Sequence, residues 1–247
     1  MLAATESPPL LVPTRAPLRL LIVNGNTSAA LTQQLHAQAQ DFFAGAARLH
    51  AVSACNGPAY IASRAEAVTA AQAIMRTVEL EIERNANQPF DACVLACFGE
   101  PGINAVRERW GLPVVGMAEA SILTALQRGD RYSIVTVGPR WPGMLREQIR
   151  QLGLQTRCAG IEVLPGNALD YVLPSSAGLA ALGQAIARAV ENGADVVIAA
   201  GAALAGYAAR LPAPPPVPII DSYRAALAQA LALSTLEYPQ AHGRALS

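Results

Sequence analysis

One thiol stands out for its position. The stretch Asp91-Ala92-Cys93-Val94-Leu95-Ala96-Cys97-Phe98-Gly99-Glu100-Pro101-Gly102 is an apolar run of strand length that ends at Cys97. A turn with two glycines and a proline follows, then a helical pattern from Ile103 to Trp110. Cys97 therefore belongs at the carboxyl end of a parallel strand, beside a helix amino end, where open α/β sheets bind ligands. Helix N–H groups there favour anions, thiolates included. A thiol so placed can take a proton from carbon or return one. A second polar cluster, Asn24-Gly25-Asn26-Thr27-Ser28, closes the apolar run Arg19 to Asn24 and suits a helix cap. Cap donors and anion donors are the same N–H groups, so capping and ligand contact are compatible.

The elements that must position these residues occur twice. Asp195-Val196-Val197-Ile198-Ala199-Ala200-Gly201 to Gly206 repeats the aspartate, apolar run and closing glycine of the cysteine stretch, at a constant offset of 104 residues. Leu112-Pro113-Val114-Val115 is echoed by Val217-Pro218-Ile219-Ile220, and Leu18 to Asn24 resembles Asp130 to Thr136 in pattern. A duplicated α/β unit with a cleft between its copies follows, and Cys97 is expected to face Gly201 across it. The fold expected is α/β: two pseudo-symmetric lobes, each a small, mostly parallel sheet flanked by helices. Lobe 1 spans residues 18–120 and lobe 2 residues 121–221. Closing helix 222–233 packs at the lobe junction, a flexible tail occupies residues 1–17, and a loose tail occupies residues 234–247.

Within lobe 1, strands are expected at Arg19–Asn24, Arg48–Ser53, Phe90–Ala96 and Pro113–Gly116, with helices at Ser63–Arg84 and Met117–Gln127. Lobe 2 has strands at Tyr132–Val137, Cys158–Leu164 and Val196–Ala200, and helices at Gly143–Leu152 and Ser175–Asn192. Gly138 to Pro142 reads as a turn, and the five prolines of Pro212 to Pro218 as a rigid connection.

Composition narrows the function classes. Of the 247 residues, 52% are hydrophobic and 15% charged, with a net charge of +0. Material for a core is ample, and no basic surface argues for nucleic acid or acidic membrane. All basic residues counted among the 18 Lys+Arg are arginine, which excludes a lysine Schiff base or general base. The four cysteines show neither CxxC pairing nor zinc spacing, the pattern of a reduced cytoplasmic protein. Cys93 and Cys158 read as packing residues, and Cys55 as a weaker candidate near a carboxyl-end loop. The three histidines, His36, His50 and His242, have no ligand spacing, so no metal is expected. No apolar run reaches the ~18–20 residues of a membrane helix, and Met1 to Pro17 lacks the pattern of a signal peptide.

Four segments together carry a resemblance. Asn24-Gly25-Asn26-Thr27-Ser28, Ala96 to Gly102 (ACFGEPG), Pro113 to Ala120 (PVVGMAEA) and Ala205-Gly206 resemble the aspartate/glutamate/hydantoin racemase superfamily, its hydantoin and allantoin branch above all. The likeness spans Leu18 to Leu233. It implies a cofactor-free isomerase, a homo-oligomer acting on a small carboxylate or hydantoin-like molecule. One cysteine from each lobe would face the substrate, one thiolate removing the proton next to a carbonyl and one thiol returning a proton on the opposite face. Cys97 matches the first. The second falls at position 201, where this chain carries Gly201.

Three readings stay open. A racemase or epimerase would fill the second face with water, Tyr207 or Glu119. A single-cysteine decarboxylase, similar to the arylmalonate branch by mechanism and not by position, would form the enolate by losing CO₂ and protonate it from Cys97. A binding relative would have lost catalysis. In the first two, backbone N–H groups at Asn26-Thr27-Ser28, Phe98-Gly99, Val137-Gly138 and Ala202-Ala203 are the candidates for stabilising the enolate. Arg140, in a cleft-side loop, is a candidate for a substrate carboxylate.

Overall fold

In the computed structural model, residues 17–236 are described. Most of the expected tails, residues 1–16 and 237–247, lies outside them. Among the described residues seven α-helices and eight strands alternate, except that only two short 3₁₀ turns separate β7 from β8. The first half comprises β1 (Leu18–Asn24), α1 (Ala29–Phe43), β2 (Ala47–Ser53), α2 (Arg64–Arg84), β3 (Ala92–Leu95), α3 (Ile103–Arg109), β4 (Val114–Gly116) and α4 (Met117–Leu126). The second comprises β5 (Tyr132–Val137), α5 (Trp141–Gln151), β6 (Cys158–Leu164), α6 (Ser176–Glu191), β7 (Val196–Ala199), β8 (Ile219–Asp221) and α7 (Ser222–Thr235).

The strands form two sheets of four, ordered β2-β1-β3-β4 and β6-β5-β7-β8, and every pairing is parallel. Parallel neighbours need a crossover, which the intervening helices supply. The same strand order in both sheets answers to the repeat in the sequence. Asp91 and Asp195 occupy matching places: Asp91 accepts the N–H of Arg19 at 2.8 Å, and Asp195 those of Asp130 and Arg131 at 3.1 and 2.9 Å. Each aspartate fastens the start of its strand to the central strand of its sheet.

Both faces of each sheet are covered, which is why the strands read as continuous apolar runs. In β1, Leu20 and Ile22 face a central core, while Leu21 and Val23 face outward onto α2 and α3. In the second sheet Ile134, Val196 and Ile198 join the same central core, and Val135, Val137, Val197 and Ala199 face α6. Between the sheets lie α4 and α7, packed on each other, with Ile122, Ala125, Tyr223, Leu227 and Ala230 fully buried. Their placement is exchanged. Helix α4 follows β4 yet lies on β7 and β8, and α7 follows β8 yet lies on β3 and β4.

Helix α5 starts two residues before the sequence pattern suggests. Pro142 sits in its first turn, where the missing N–H costs nothing, and Trp141 is thereby carried on the helix instead of in a loop. Cys93 is fully buried on the outer face of β3 with Leu95, whereas Cys97 packs toward the central core. The two thiols do not share a face, because β3 ends at Leu95 and the chain turns before Cys97. Among the described residues no helix is long and apolar enough to cross a membrane.

Candidate active site

The carboxyl edges of the two sheets converge on a cleft. The first sheet contributes Asn26 from the turn after β1 and Ala96, Cys97 and Phe98 from the turn after β3. The second contributes Thr136 and Val137 from the end of β5, with Ala200 to Ala203 from the turn after β7. Leu31, Tyr60, Ile61, Trp141 and Ala168 complete the lining. No arginine, histidine, aspartate or glutamate is among these residues; the polar groups are Asn26, Tyr60, Cys97 and Thr136.

Each wall follows from its local sequence. Asn26 Oδ1 accepts the N–H of Ser28 at 2.9 Å and the side-chain amide of Asn24 at 2.9 Å, closing the turn and fixing the Asn26 side chain. Ser28 caps α1 by accepting the Leu31 N–H at 3.3 Å. Thr27 is exposed, its N–H spent on the Pro58 carbonyl at 3.1 Å. In the Cys97 turn, the Glu100 N–H donates to the Cys97 carbonyl at 3.0 Å. Gly99 lies beneath Trp141: a Cβ there would come within 2.8 Å of the indole. Trp141 in turn donates from Nε1 to the Tyr60 hydroxyl at 3.3 Å, so one indole from the second sheet's side spans two loops of the first.

Cys97 is partly buried at the cavity wall. Burial pushes its thiol up to about 11, and the negative charge of Glu100 adds to the rise. The backbone N–H groups of Gly99 and Glu100 pull the other way, favouring the thiolate. Burial likewise holds the Tyr60 phenol at about 12, partly offset by the Trp141 N–H. The resting site is therefore uncharged, with Cys97 as a thiol.

Gly201 lines the same cavity. Its backbone sits at φ +99°, ψ 157°, a region open to glycine and strained for any other residue. Space is not the constraint, since a Cβ there would meet only the Phe98 Cβ, at 4.0 Å. Its N–H donates to Ser222 Oγ at 3.1 Å, which fixes the turn from the start of α7.

The cavity thus gathers Cys97, Gly201, Asn26, Phe98, Val137, Ala202 and Ala203 from the residues singled out in the sequence. It does not gather Thr27, Ser28, Gly99 or Gly138; Thr27 is exposed, and Gly99 lines a separate surface groove. The side chains considered for the second face are also elsewhere. Tyr207 is fully buried against the outer face of the second sheet, its hydroxyl donating to the Leu173 carbonyl at 3.2 Å. Glu119 is paired with Arg107 at 2.6 Å in a separate surface groove. Arg140 is exposed at the start of α5 and lines neither. Cys55 is exposed and lies outside the cavity. Among the described residues no group of three or more His, Cys, Asp or Glu side chains is gathered for a metal.

Sequence reasoning missed Tyr60, Trp141 and Thr136. Thr136 carried a signal: it is the penultimate residue of β5 and matches Asn24, the last residue of β1, in the repeat. Tyr60 and Trp141 reach the cavity from segments with no counterpart in the repeated pattern.

Comparison with known proteins agrees with this architecture. The sequence pattern of the family described as Asp/Glu/Hydantoin racemase matches residues 20–230. A hydantoin racemase from Paenarthrobacter aurescens is 35% identical over 222 residues, covering 90% of this chain and 93% of that protein. The allantoin racemase from Klebsiella pneumoniae superposes with a TM-score of 0.80 at 29% identity, covering 87% of each chain. Arylmalonate decarboxylase shares the fold alone, with a TM-score of 0.58 at 16% identity over 89% of this chain and 94% of that one. Two parallel sheets of one strand order, a turn thiol between them and a match over nearly the whole length place the chain in the Asp/Glu/hydantoin racemase family.

Proposed function

We propose that this chain is a cofactor-independent racemase acting on a carbon next to the amide carbonyl of an uncharged ring of the hydantoin class, with Cys97 as its acid–base group. The observation that carries this reading is the lining of the cavity. A thiol and three uncharged polar side chains, Asn26, Tyr60 and Thr136, share an otherwise apolar pocket without a single cationic partner. A free amino acid or a dicarboxylate would have to leave water there uncompensated by an opposite charge, at a cost of several kcal/mol. A ring amide has donors and acceptors that suit Asn26 and Thr136, and it enters without that cost. Relatives named as hydantoin and allantoin racemases support the same substrate class.

Proton removal forms an S–H bond at Cys97 as the C–H bond breaks, and the electron pair moves into the carbonyl. Backbone N–H groups of the cavity turns, Ala202-Ala203 and Phe98 among them, then face a developing oxyanion in a dry site. Forming the thiolate at neutral pH from a thiol near 11 costs about 5 kcal/mol. Return of the proton from Cys97 restores the original hand. Inversion requires a proton on the other face, where Gly201 offers no side chain; water beside Thr136 supplies it, and the hydroxide left takes the proton from the Cys97 thiol, restoring water and the thiolate. Exchange at the Cys97 face should therefore outrun inversion.

A second reading, a one-thiol decarboxylase, draws on the apolar Ala200 to Ala203 wall, which would favour loss of a carboxylate. The same proposal covers the division into lobes at residues 18–120 and 121–221, a homo-oligomeric assembly and a cytoplasmic setting.

The test is turnover of hydantoins, amino acids and arylmalonates in D₂O by wild type and Cys97→Ala. Optical rotation, α-deuteration and CO₂ release are followed together. Deuteration and slower rotation loss on hydantoins, both abolished by Cys97→Ala, support the racemase. CO₂ release confined to arylmalonates supports the lyase, and turnover untouched by Cys97→Ala refutes both.

A further inference from the structure

Glu100 is a buried carboxyl to which the mechanism above gives no part. It lies three residues after Cys97 and is only 6% exposed. Its backbone adopts φ +49°, a left-handed conformation that few residues other than glycine hold without support. The support comes from both sides of the molecule. Oε1 accepts the Glu119 N–H in the first turn of α4 at 2.9 Å, and Oε2 accepts the side-chain amide of Gln148 in α5 at 2.8 Å. The start of α4 makes room for it, since a Cβ on Gly116 would stand 2.1 Å from Oε1. A strained residue, a glycine that leaves space for its carboxyl and donors from two helices together make a built site, not a solvated side chain.

We propose that Glu100 is a positioning residue whose carboxyl fastens the Cys97 turn to α4 and α5 and whose charge governs how readily Cys97 gives up its proton. The groups facing it are few. From α3 comes Arg107, drawn off by the Glu119 carboxylate at 2.6 Å; from α4, Glu119 itself; from α5, the uncharged Gln148. Glu147 of α5 is paired with Arg64 of α2 across the same groove. Cys97 is the titratable neighbour within its own turn. Burial lifts the Glu100 carboxyl to about 7, so its charge changes in the neutral range, and the ionised carboxylate opposes a thiolate on Cys97. The influence is mutual, because each negative charge disfavours the other. A neutral Glu100 keeps both hydrogen-bonded arms through its carbonyl and hydroxyl oxygens only if Gln148 turns its amide. The charge, not the tether, is what titrates.

The proposal bears on catalysis only if Cys97 is the reacting group, yet its test reads the thiol and needs no turnover. The rate at which iodoacetamide alkylates Cys97 is measured from pH 5.5 to 10 by mass mapping of its peptide. Expected for wild type is a logarithmic rate that rises with pH, flattens where Glu100 ionises, then rises again on a lower parallel line. In Glu100→Gln the flattening vanishes, and the rate at pH 8 increases about threefold for each unit by which the thiol becomes more acidic. Gln148→Leu removes one donor from the carboxylate and moves the flattening to higher pH. A merely structural role would leave the shape of the profile unchanged. Superimposable profiles for wild type and folded Glu100→Gln would overturn the proposal. Should Glu100→Gln fail to fold, a wild-type profile without the flattening, or one unmoved in Gln148→Leu, would overturn it instead. Turnover that survives Cys97→Ala would sink the racemase reading while these profiles still decide on Glu100.

Discussion

Replacing Gly201 by cysteine separates two properties of that position, its room and its backbone. A Cβ there has only the Phe98 Cβ at 4.0 Å, so the side chain fits. The backbone at φ +99°, ψ 157° is another matter, since holding a non-glycine residue there costs about 1–3 kcal/mol. In a chain of this size each kcal/mol lowers the melting temperature by roughly 2–4 °C, so Gly201→Cys and Gly201→Ala should both melt roughly 2–12 °C below wild type. They should part company in chemistry. Cysteine supplies an acid–base group on the second face, and such groups contribute about 10²–10⁴ in rate. The assay starts from each pure enantiomer of a 5-substituted hydantoin in D₂O, with α-proton loss read by NMR and inversion by chiral chromatography. Wild type should exchange one enantiomer about 10²-fold faster than it inverts it. Gly201→Cys should raise inversion by about 10²-fold and bring the two rates together, while Gly201→Ala gains nothing. Two results would refute the reasoning: a Gly201→Ala variant that melts with wild type, or a folded Gly201→Cys variant with an accessible thiol and unchanged inversion.

Tyr207→Phe removes the hydroxyl that donates to the Leu173 carbonyl at 3.2 Å and also interacts with Ser175; unfolding in urea should show a loss of about 1 kcal/mol with turnover unaltered. Thr136→Val keeps the shape of the cavity wall and deletes its hydroxyl, so inversion should fall by roughly tenfold while exchange at the Cys97 face persists, read in the same D₂O assay. Glu100 keeps its proton in the folded chain up to about pH 7, whereas the unfolded chain loses it near 4.5. The native state thus binds more protons between those values, and this group removes about 3 kcal/mol of stability as pH climbs from 4.5 to 7, with no further change above. Urea midpoints of Glu100→Gln should decline less than those of wild type across that window; parallel declines would refute the assignment.

Much of this architecture is legible because parallel strands buried on both faces are written as unbroken apolar runs. Tyr132–Val137 and Cys158–Leu164 match to the residue, and the others lie within one or two residues of expectation at most ends. The pair Asp91 and Asp195 marks the start of two equivalent strands by a chemistry visible in the sequence, a short acid able to accept neighbouring N–H groups. What the chain hides is what crosses between the sheets. Trp141 reads as a turn residue because Gly138, Pro139 and Pro142 surround it, yet a proline in the first turn is compatible with a helix, and the indole rides on α5. Glu100 carries no sign of burial in the sequence, because its burial depends on Gly116 and Gln148, distant in sequence. Tyr207, one residue from the Gly206 turn, appears near the site by counting alone. Its ring instead faces the outer core, against Tyr171. Proximity along the chain does not tell on which side of a sheet a ring will lie.

The exchanged helices have a consequence for how the protein is made. The inward faces of β3 and β4 are covered by α7, whose residues 222–235 are among the last described. During synthesis, a chain that has already emerged with its first four strands must leave that apolar surface open until more than a hundred further residues are translated. Helix α4, released early, has no second sheet to rest on in the meantime. The nascent chain therefore waits for α7 to emerge before its first sheet is covered, and a slow commitment to the native state is the expected companion of such a topology.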